Sequence, residues 1–307
     1  MPPIESRRRF VSRSVAVVAA AVASSSPSAV APAGAAEPIA RTGGPKFKFT
    51  IAAYSYRNLL GGRNPQMTLD DFLVACARME LDAVELTSYY FPKELTGDYL
   101  RRLKRRAFQL GLDISGTGVG NDFTHRPGPR RDEQIAMVKR WIEHSATLGA
   151  PMIRIFAGGQ QAGQTEAEAR RLVADGIAQC SDHAAKYGVV MALENHGGVT
   201  ATAESTLRLV AEVKSPWFGV NLDSGNFHSD DIYAELARVA PYAVNVHVKV
   251  VVSGPDGKRR PTDYKRLAGV LAGAGYRGYI SLEYEEEADP RVACPKIVEE
   301  IRRGFGG

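Results

Sequence analysis

The sequence predicts a single closed (β/α)8 TIM barrel, and three observations carry that expectation. From Phe47 onward, short apolar strand-forming runs alternate with amphipathic helical stretches. Eight such strand and helix pairs can be counted before the 307-residue chain ends. The last four strand runs finish in an acid or an imidazole: Glu194, Asp223, His247 and Glu283. Parallel neighbours need long crossovers, whose helices bury both faces of the sheet. Eight units over this length match a barrel, with an open doubly wound sheet as the competitor. A barrel also demands that chemistry sit at the C-terminal strand ends.

Taken in order, "FKFTIAAYSY" reads as the first strand, "TLDDFLVACARMEL" as a helix capped by Thr68, and "DAVELTS" as the second strand. The helix "GDYLRRLKRRAFQLG" stops at Gly111 and leads to the strand "LDISGTGVG". A helix follows from Arg131 to Leu148, with Ile135, Val138, Ile142 and Ala146 on one face and Gly149 as its stop. "MIRIFAGG" and "VVMALENHGG" are strands four and five, separated by the helix "TEAEARRLVADGIAQCSDHAAKYG". After the helix "TAESTLRLVAEV" come "WFGVNLDSGN" with "DIYAELARVA", then "YAVNVHVKV" with "DYKRLAGVLAGAG". "GYISLEYE" closes the series with a helix from Pro295 to Arg303.

Composition sets few limits beyond a soluble globular class, at 44% hydrophobic and 24% charged. Cys76, Cys180 and Cys294 are odd in number and far apart, which gives no disulfide framework and reads as buried small side chains. The N-terminal "ESRRRFVSRS" precedes an uncharged apolar stretch, Val15 to Ala23, and a small-residue site at Ala33, Gly34 and Ala35. That order reads as an export signal over residues 1–35, too short in its apolar part to span a bilayer. Ser6, Arg7, Arg8, Phe10 and Val11 resemble a twin-arginine signal, which implies the twin-arginine export machinery as a partner and a periplasmic location. No cysteine stands at the cleavage point, so no lipid anchor is expected. Residues 36–46 are expected as a flexible linker and 47–307 as the barrel. Without the four arginines and one glutamate of the leader, 35 basic and 33 acidic residues remain, a net charge of +2. The basic runs "RRLKRR" and "KRR" are too short for a nucleic-acid surface.

In a barrel the four strand ends share one mouth. Three carboxylates held close together repel unless protons or a cation neutralise them. One divalent ion does so most simply; three oxygen ligands and one imidazole suit Mn, Mg, Co, Fe or Zn without choosing among them.

Glu, Asp, His and Glu at the ends of strands five to eight resemble the xylose isomerase-like TIM barrels, which include sugar phosphate isomerases and ketose 3-epimerases. "LENHGG", "GVNLDSGNF", "HVKV", "GNDF" and "LGAPMIRIFAGG" support the resemblance, which spans about Phe47 to Phe305. It implies that Glu194, Asp223, His247 and Glu283 bind one metal, and that Glu194 and Glu283 carry protons to and from the carbon beside a carbonyl. Such a metal would stabilise an enediolate, and return of the proton to the same or the neighbouring carbon separates epimerase from isomerase. Two departures stand out. Family epimerases have a histidine three residues after the aspartate, where this chain has Asn226, and an arginine beyond the metal-binding histidine, where it has Lys249 and then Ser253.

The further candidates for substrate contact are His196, Asn226, Lys249, Arg154, Tyr54 and Asn121, with Asp122 in the same loop as Asn121; Arg154, a charge in an apolar strand, is also expected inside the barrel in ion pairs with the ligands or their neighbours. Glu85 in "VELTS" is expected to support the site as a partner of Arg154, whereas His125, His144, His183 and His228 read as surface or helix residues. The leading function is a metal-dependent isomerase or epimerase of a carbohydrate or its phosphate. A lyase acting beside a keto group on a keto-sugar or 3-keto-glycoside is the alternative, and a non-catalytic metal-containing sugar binder the second. Apurinic-site endonuclease relatives add histidines at strands two and three and beside the aspartate; "ELTSYY", "SGTGVGND" and "DSGN" lack them.

Overall fold

Alternate positions along each barrel strand face two environments. In "FGVNLD" the side chains of Val220 and Leu222 are fully buried against the helices, while Asn221 and Asp223 take the opposite face and point into the barrel. The same alternation separates Val246 and Val248 from Asn245 and His247. Each outward Val, Leu or Ile withdrawn from water contributes about 1.5–3 kcal/mol, so the apolar shell stabilises the fold and leaves the interior free for polar groups.

The computed structural model describes residues 36–306; the export signal expected around Arg7 and Arg8 lies outside them. β1 (Lys46–Ala52) is followed by a 3-10 turn, the short α1 (Arg57–Leu60) and α2 (Leu69–Arg78). β2 (Ala83–Thr87), α3 (Gly97–Gln109), β3 (Asp113–Gly118), α4 (Pro129–Leu148), β4 (Met152–Ile155) and α5 (Glu166–Tyr187) continue the alternation. Next come β5 (Val190–Glu194), α6 (Ala203–Glu212), β6 (Phe218–Asp223), α7 (Ile232–Val239) and β7 (Ala243–Val248). A hairpin of β8 (Val251–Ser253) and β9 (Arg259–Pro261) precedes α8 (Tyr264–Gly273), β10 (Arg277–Leu282) and α9 (Pro290–Gly304). Eight of these strands close in the order β1-β10-β7-β6-β5-β4-β3-β2, every pair parallel. The fold is therefore a single (β/α)8 barrel.

Local chemistry explains the boundaries. Thr68 accepts from the Asp71 N–H while Asp71 accepts from the Thr68 N–H, a reciprocal cap that starts α2. Gly149 ends α4 with φ at 81°, a left-handed conformation that a Cβ would penalise. The last helix begins earlier than Pro295: Asp289 caps it through the Arg291 N–H, Pro290 takes its first turn, and Pro295 lies inside. The hairpin β8–β9 was not expected, although its turn "GPDG", with Gly257 at φ 70°, is a turn signature between two short runs. Residues 36–45 form no helix or strand. Ala36 N–H donates to Val213 O and Ile39 N–H to Pro241 O, both at 3.0 Å, which holds this segment against the base of the barrel. Among the described residues, no helix is long and apolar enough to cross a membrane.

Candidate metal centre at the barrel mouth

Glu194 ends β5, Asp223 ends β6, His247 lies near the end of β7, and Glu283 directly follows β10. Each offers one ligand atom, and these atoms all lie within 4.8 Å of one another. All four residues are buried, with Glu283 the most accessible at 5%. Strand register produces the convergence, because Asp223 pairs with His247 and Ser281 with His247, placing their neighbours at one level. Irregularities at Val84/Glu85 and at Val220/Asn221 re-aim the inward residues beside them.

A hydrogen-bond network below the cluster fixes its orientation. His247 Nε2 donates to Glu85 at 2.9 and 3.0 Å, a carboxylate across the barrel on β2. Asn245 Nδ2 donates to Glu85 at 3.0 Å and to Asn221 Oδ1 at 2.7 Å, and Asn221 Nδ2 donates to Glu194 Oε2 at 2.9 Å. With Nε2 committed to Glu85, His247 Nδ1 faces Glu194 Oε2 and Glu283 Oε2, each 3.4 Å away. Neither this nitrogen nor Asp223 Oδ2 has a hydrogen-bond partner, although both are buried. Orphaned buried polar atoms are costly, and a proton or a cation between them removes the cost. A divalent metal therefore fits the residues present, in the arrangement where a carboxylate orients the liganding histidine.

Lys249 completes the electrostatics. Its Nζ lies 2.5 Å from Glu283, 2.9 Å from Glu285 and 3.5 Å from Asp223. Gly225 makes room for its stem, since a Cβ there would meet Lys249 Cγ at 2.6 Å. Burial pushes the Asp223 carboxyl up to about 7, against the pull of Lys249 and with help from the Glu194 and Glu283 charges. Burial also raises Glu194, opposed by Arg154. On Glu283 burial acts upward too, but Lys249 and His247 outweigh it and hold this carboxyl well below the usual range. Burial works against the charged forms of His247 and Lys249, and the surrounding carboxylates override it in both.

A pH dependence follows for the metal-free protein. With Asp223 raised from its ordinary 3.8 to about 7, the folded chain binds more protons than the unfolded chain between those values. Its contribution to stability is therefore full below the unfolded value and is lost as pH rises through the window. We expect Asp223→Asn to flatten that part of the unfolding free-energy profile. Added Mn²⁺ should stabilise the parent more at pH 7.5 than at pH 5, since the ligands must be deprotonated. A slope unchanged in Asp223→Asn, measured by denaturant unfolding from pH 4 to 7, would contradict the assignment.

The remaining candidates divide between the mouth and the interior. His196 is exposed and packs on Phe156 at a tilt, with ring centroids 4.4 Å apart and planes inclined by 41°. Asn226 lies near the cluster, its Nδ2 3.5 Å from Glu194 Oε1. Tyr54 is half-buried at the end of β1, edge-on to the exposed Tyr89. Arg154 lies inside the barrel: it is 3% exposed, donates to Val119 O at 2.6 Å and lies 3.2 Å from Glu194 Oε2, beneath the Phe156 ring. Glu85 accordingly pairs with His247 and Asn245 rather than with Arg154. Asn121 serves as a clamp, its Nδ2 donating to Phe156 O at 2.8 Å and its Oδ1 accepting from Phe156 N–H at 2.9 Å. Asp122 is engaged by Thr124 in the same loop and by Gln161 from the loop after β4. His228, read as a surface residue, borders the mouth beside Lys249. Asn221, Asn245 and Glu285 are site residues that sequence reasoning did not name.

A closed parallel barrel with three carboxylates and an imidazole gathered at its C-terminal mouth defines a TIM-barrel protein able to hold a metal ion there. Residues 73–303 match the xylose isomerase-like TIM barrel family, and the chain belongs to it. No curated protein matches the chain. Among solved structures, a D-psicose 3-epimerase studied with D-fructose is 18% identical, with 85% of this chain and 100% of that chain covered and a TM-score of 0.67. An L-ribulose 3-epimerase is 17% identical over 84% of this chain and 94% of its own, with a TM-score of 0.71. A 3-keto-D-glucoside 4-epimerase from E. coli is 18% identical, covers 84% of this chain and 100% of its own, and has a TM-score of 0.66. At these identities the likeness establishes the fold.

Proposed function

We propose that the chain is a metal-dependent enzyme that isomerises or epimerises a sugar by proton transfer at the carbon beside its carbonyl. The observation that carries this reading is the convergence of Glu194 and Glu283, from strands on different sides of the mouth, on the same buried cluster as Asp223 and His247. A divalent cation bound there would polarise a sugar carbonyl and acidify the adjacent C–H. The epimerase neighbours support the sugar as substrate class. Glu194 and Glu283 then act as the proton carriers at two faces of that carbon, one removing and the other returning the proton. Asp223 and His247 hold the cation, and Glu85 keeps the His247 ring turned so that Nδ1 faces the cluster. Arg154, behind Glu194, orients that carboxylate.

The test is solvent exchange. Metal-loaded protein incubated in D₂O with a panel of ketoses should place deuterium at one carbon, and Glu194→Gln should lower that exchange by about 10²–10⁴-fold while retaining some metal. A released aglycone or water would replace this reading with a lyase. Unchanged exchange in metal-replete Glu194→Gln would move the base elsewhere.

A further inference from the structure

Beside the ligand cluster, the mouth opens into a cavity of about 290 Å³, roofed by hairpin β8–β9. Its walls come from three loops: Asn226 and His228 after β6, Ser253 and Arg259 on the hairpin, and Glu285 and Glu286 after β10. Glu283 and Lys249 lie at its base. The cavity is thus continuous with the groups that the proposed chemistry uses.

The charges lining it are arranged in a specific way. Lys249 Nζ is already bonded to Glu283 at 2.5 Å and to Glu285 at 2.9 Å. Arg259 Nη2 donates to both oxygens of Glu286, at 2.6 Å to Oε2, which also pins the hairpin to the loop after β10. With Glu283 given to the metal, Glu285 still engages Lys249 and Glu286 still engages Arg259, so among the described residues lining the cavity every lysine and arginine is paired with a carboxylate. A phosphate dianion is normally held by cations or by backbone N–H groups directed at it. Here it would have to break an ion pair or lie against Glu285 and Glu286, and like charges at that range repel. A hydroxyl meets the opposite situation. Carboxylate oxygens accept from it, and the Asn226 amide, the Ser253 hydroxyl and the His228 imidazole offer both donors and acceptors.

On the far side of the cluster, a second cavity of about 200 Å³ lies between the loops after β3, β4 and β5. It is lined by Asp122 and the tilted pair Phe156 and His196, with no lysine or arginine among its described residues. Aromatic edges beside an acid offer apolar contact for the C–H groups and an acceptor for the O–H groups of an uncharged sugar.

Resting on the isomerase or epimerase reading, we infer that the substrate is an unphosphorylated sugar. Its end distal to the reacting carbons occupies the cavity under hairpin β8–β9, and Glu285 and Glu286 exclude a phosphate group from that position.

The experiment uses the manganese-loaded full chain with D-fructose and L-ribulose, each compared with its phosphate ester, by calorimetric binding and by exchange in D₂O. The neutral sugars should bind at least tenfold more tightly than the esters. Glu286→Gln, which frees Arg259, should reduce that ratio at least fivefold. A second measurement needs no variant: raising NaCl from 20 to 200 mM should strengthen ester binding, because salt screens repulsion, whereas it would weaken binding to a cationic phosphate pocket. Ester binding equal to or tighter than that of the neutral sugar, or weakened by salt, overturns this inference while leaving the isomerase reading intact. Binding and exchange with none of the four ligands overturns that reading, and this inference with it.

Discussion

Asp223→Ala is expected to purify with less than a tenth of the parent's bound metal and to lose at least about 10³-fold in activity, more than the ~10–100-fold typical of altering a residue behind a ligand. Asp223 Oδ2 is buried with no hydrogen-bond partner and only Lys249 Nζ at 3.5 Å to offset its charge, which leaves it open to a cation. Its other oxygen accepts from the Gly225 N–H at 2.8 Å, a bond whose loss loosens one loop turn and leaves the barrel strands in place. The metal-free variant should be at least as stable as the metal-free parent at pH 7, because a carboxyl raised to about 7 by burial has been removed. Metal loss with retained stability separates lost ligation from misfolding. Glu85→Gln supplies the graded comparison: it keeps an acceptor near His247 Nε2 but removes the charge that favours Nδ1 as a ligand, and should weaken metal binding about 10–100-fold. Elemental analysis and circular dichroism measure both. Stoichiometric metal in Asp223→Ala would refute the four-ligand site.

The barrel is legible in the sequence because its signals are local: a capped start at Thr68, a left-handed glycine after Leu148, and strand runs too short for helices. The four ligands are legible for a related reason, since a strand that ends in an acid or an imidazole marks the mouth of a barrel. Asn221 and Asn245 could have been found by the same logic, as each lies two residues before a ligand and so shares its inward face. What alternation does not provide is the order around the ring. Glu85 lies on an inward position of β2, but its pairing with His247 depends on how β2 faces β7 across the closed barrel. Arg154 and Glu194 pair because β4 and β5 are neighbours with Arg154 in register with Ala192, two residues below Glu194. Asn121 was legible as a polar loop residue, but the backbone it clamps is fixed by tertiary packing. The roof of the lateral cavity arose from an unread "GPDG" turn, so the part of the mouth that discriminates between substrates was the least visible in the sequence.

Arg154→Met should destabilise the metal-free protein by about 3–5 kcal/mol at neutral pH, the scale expected when one member of a buried ion pair is removed. The side chain is nearly inaccessible and sits between the Phe156 ring, 4.0 Å from its guanidinium carbon, and Gly118, where a Cβ would stand 3.1 Å from Nη2. Methionine fills a similar space, so the main loss is charge rather than volume. Glu194 is then left buried with Asn221 as a neutral donor, and its carboxyl, already raised by burial, rises further because Arg154 is the charge that chiefly opposes the rise. That shift carries a diagnostic consequence. Protonating Glu194 relieves the unpaired charge, so the destabilisation should shrink as pH is lowered toward 5. Adding Glu194→Gln to Arg154→Met should restore most of the lost stability at pH 7 without restoring exchange activity, because the neutral amide no longer needs the guanidinium and cannot carry the proton. Urea unfolding of the parent, both single variants and the double variant forms the required cycle. A coupling below about 1 kcal/mol between the two positions would show that Arg154 serves the fold independently of Glu194 and would remove it from the account of how that carboxylate is held.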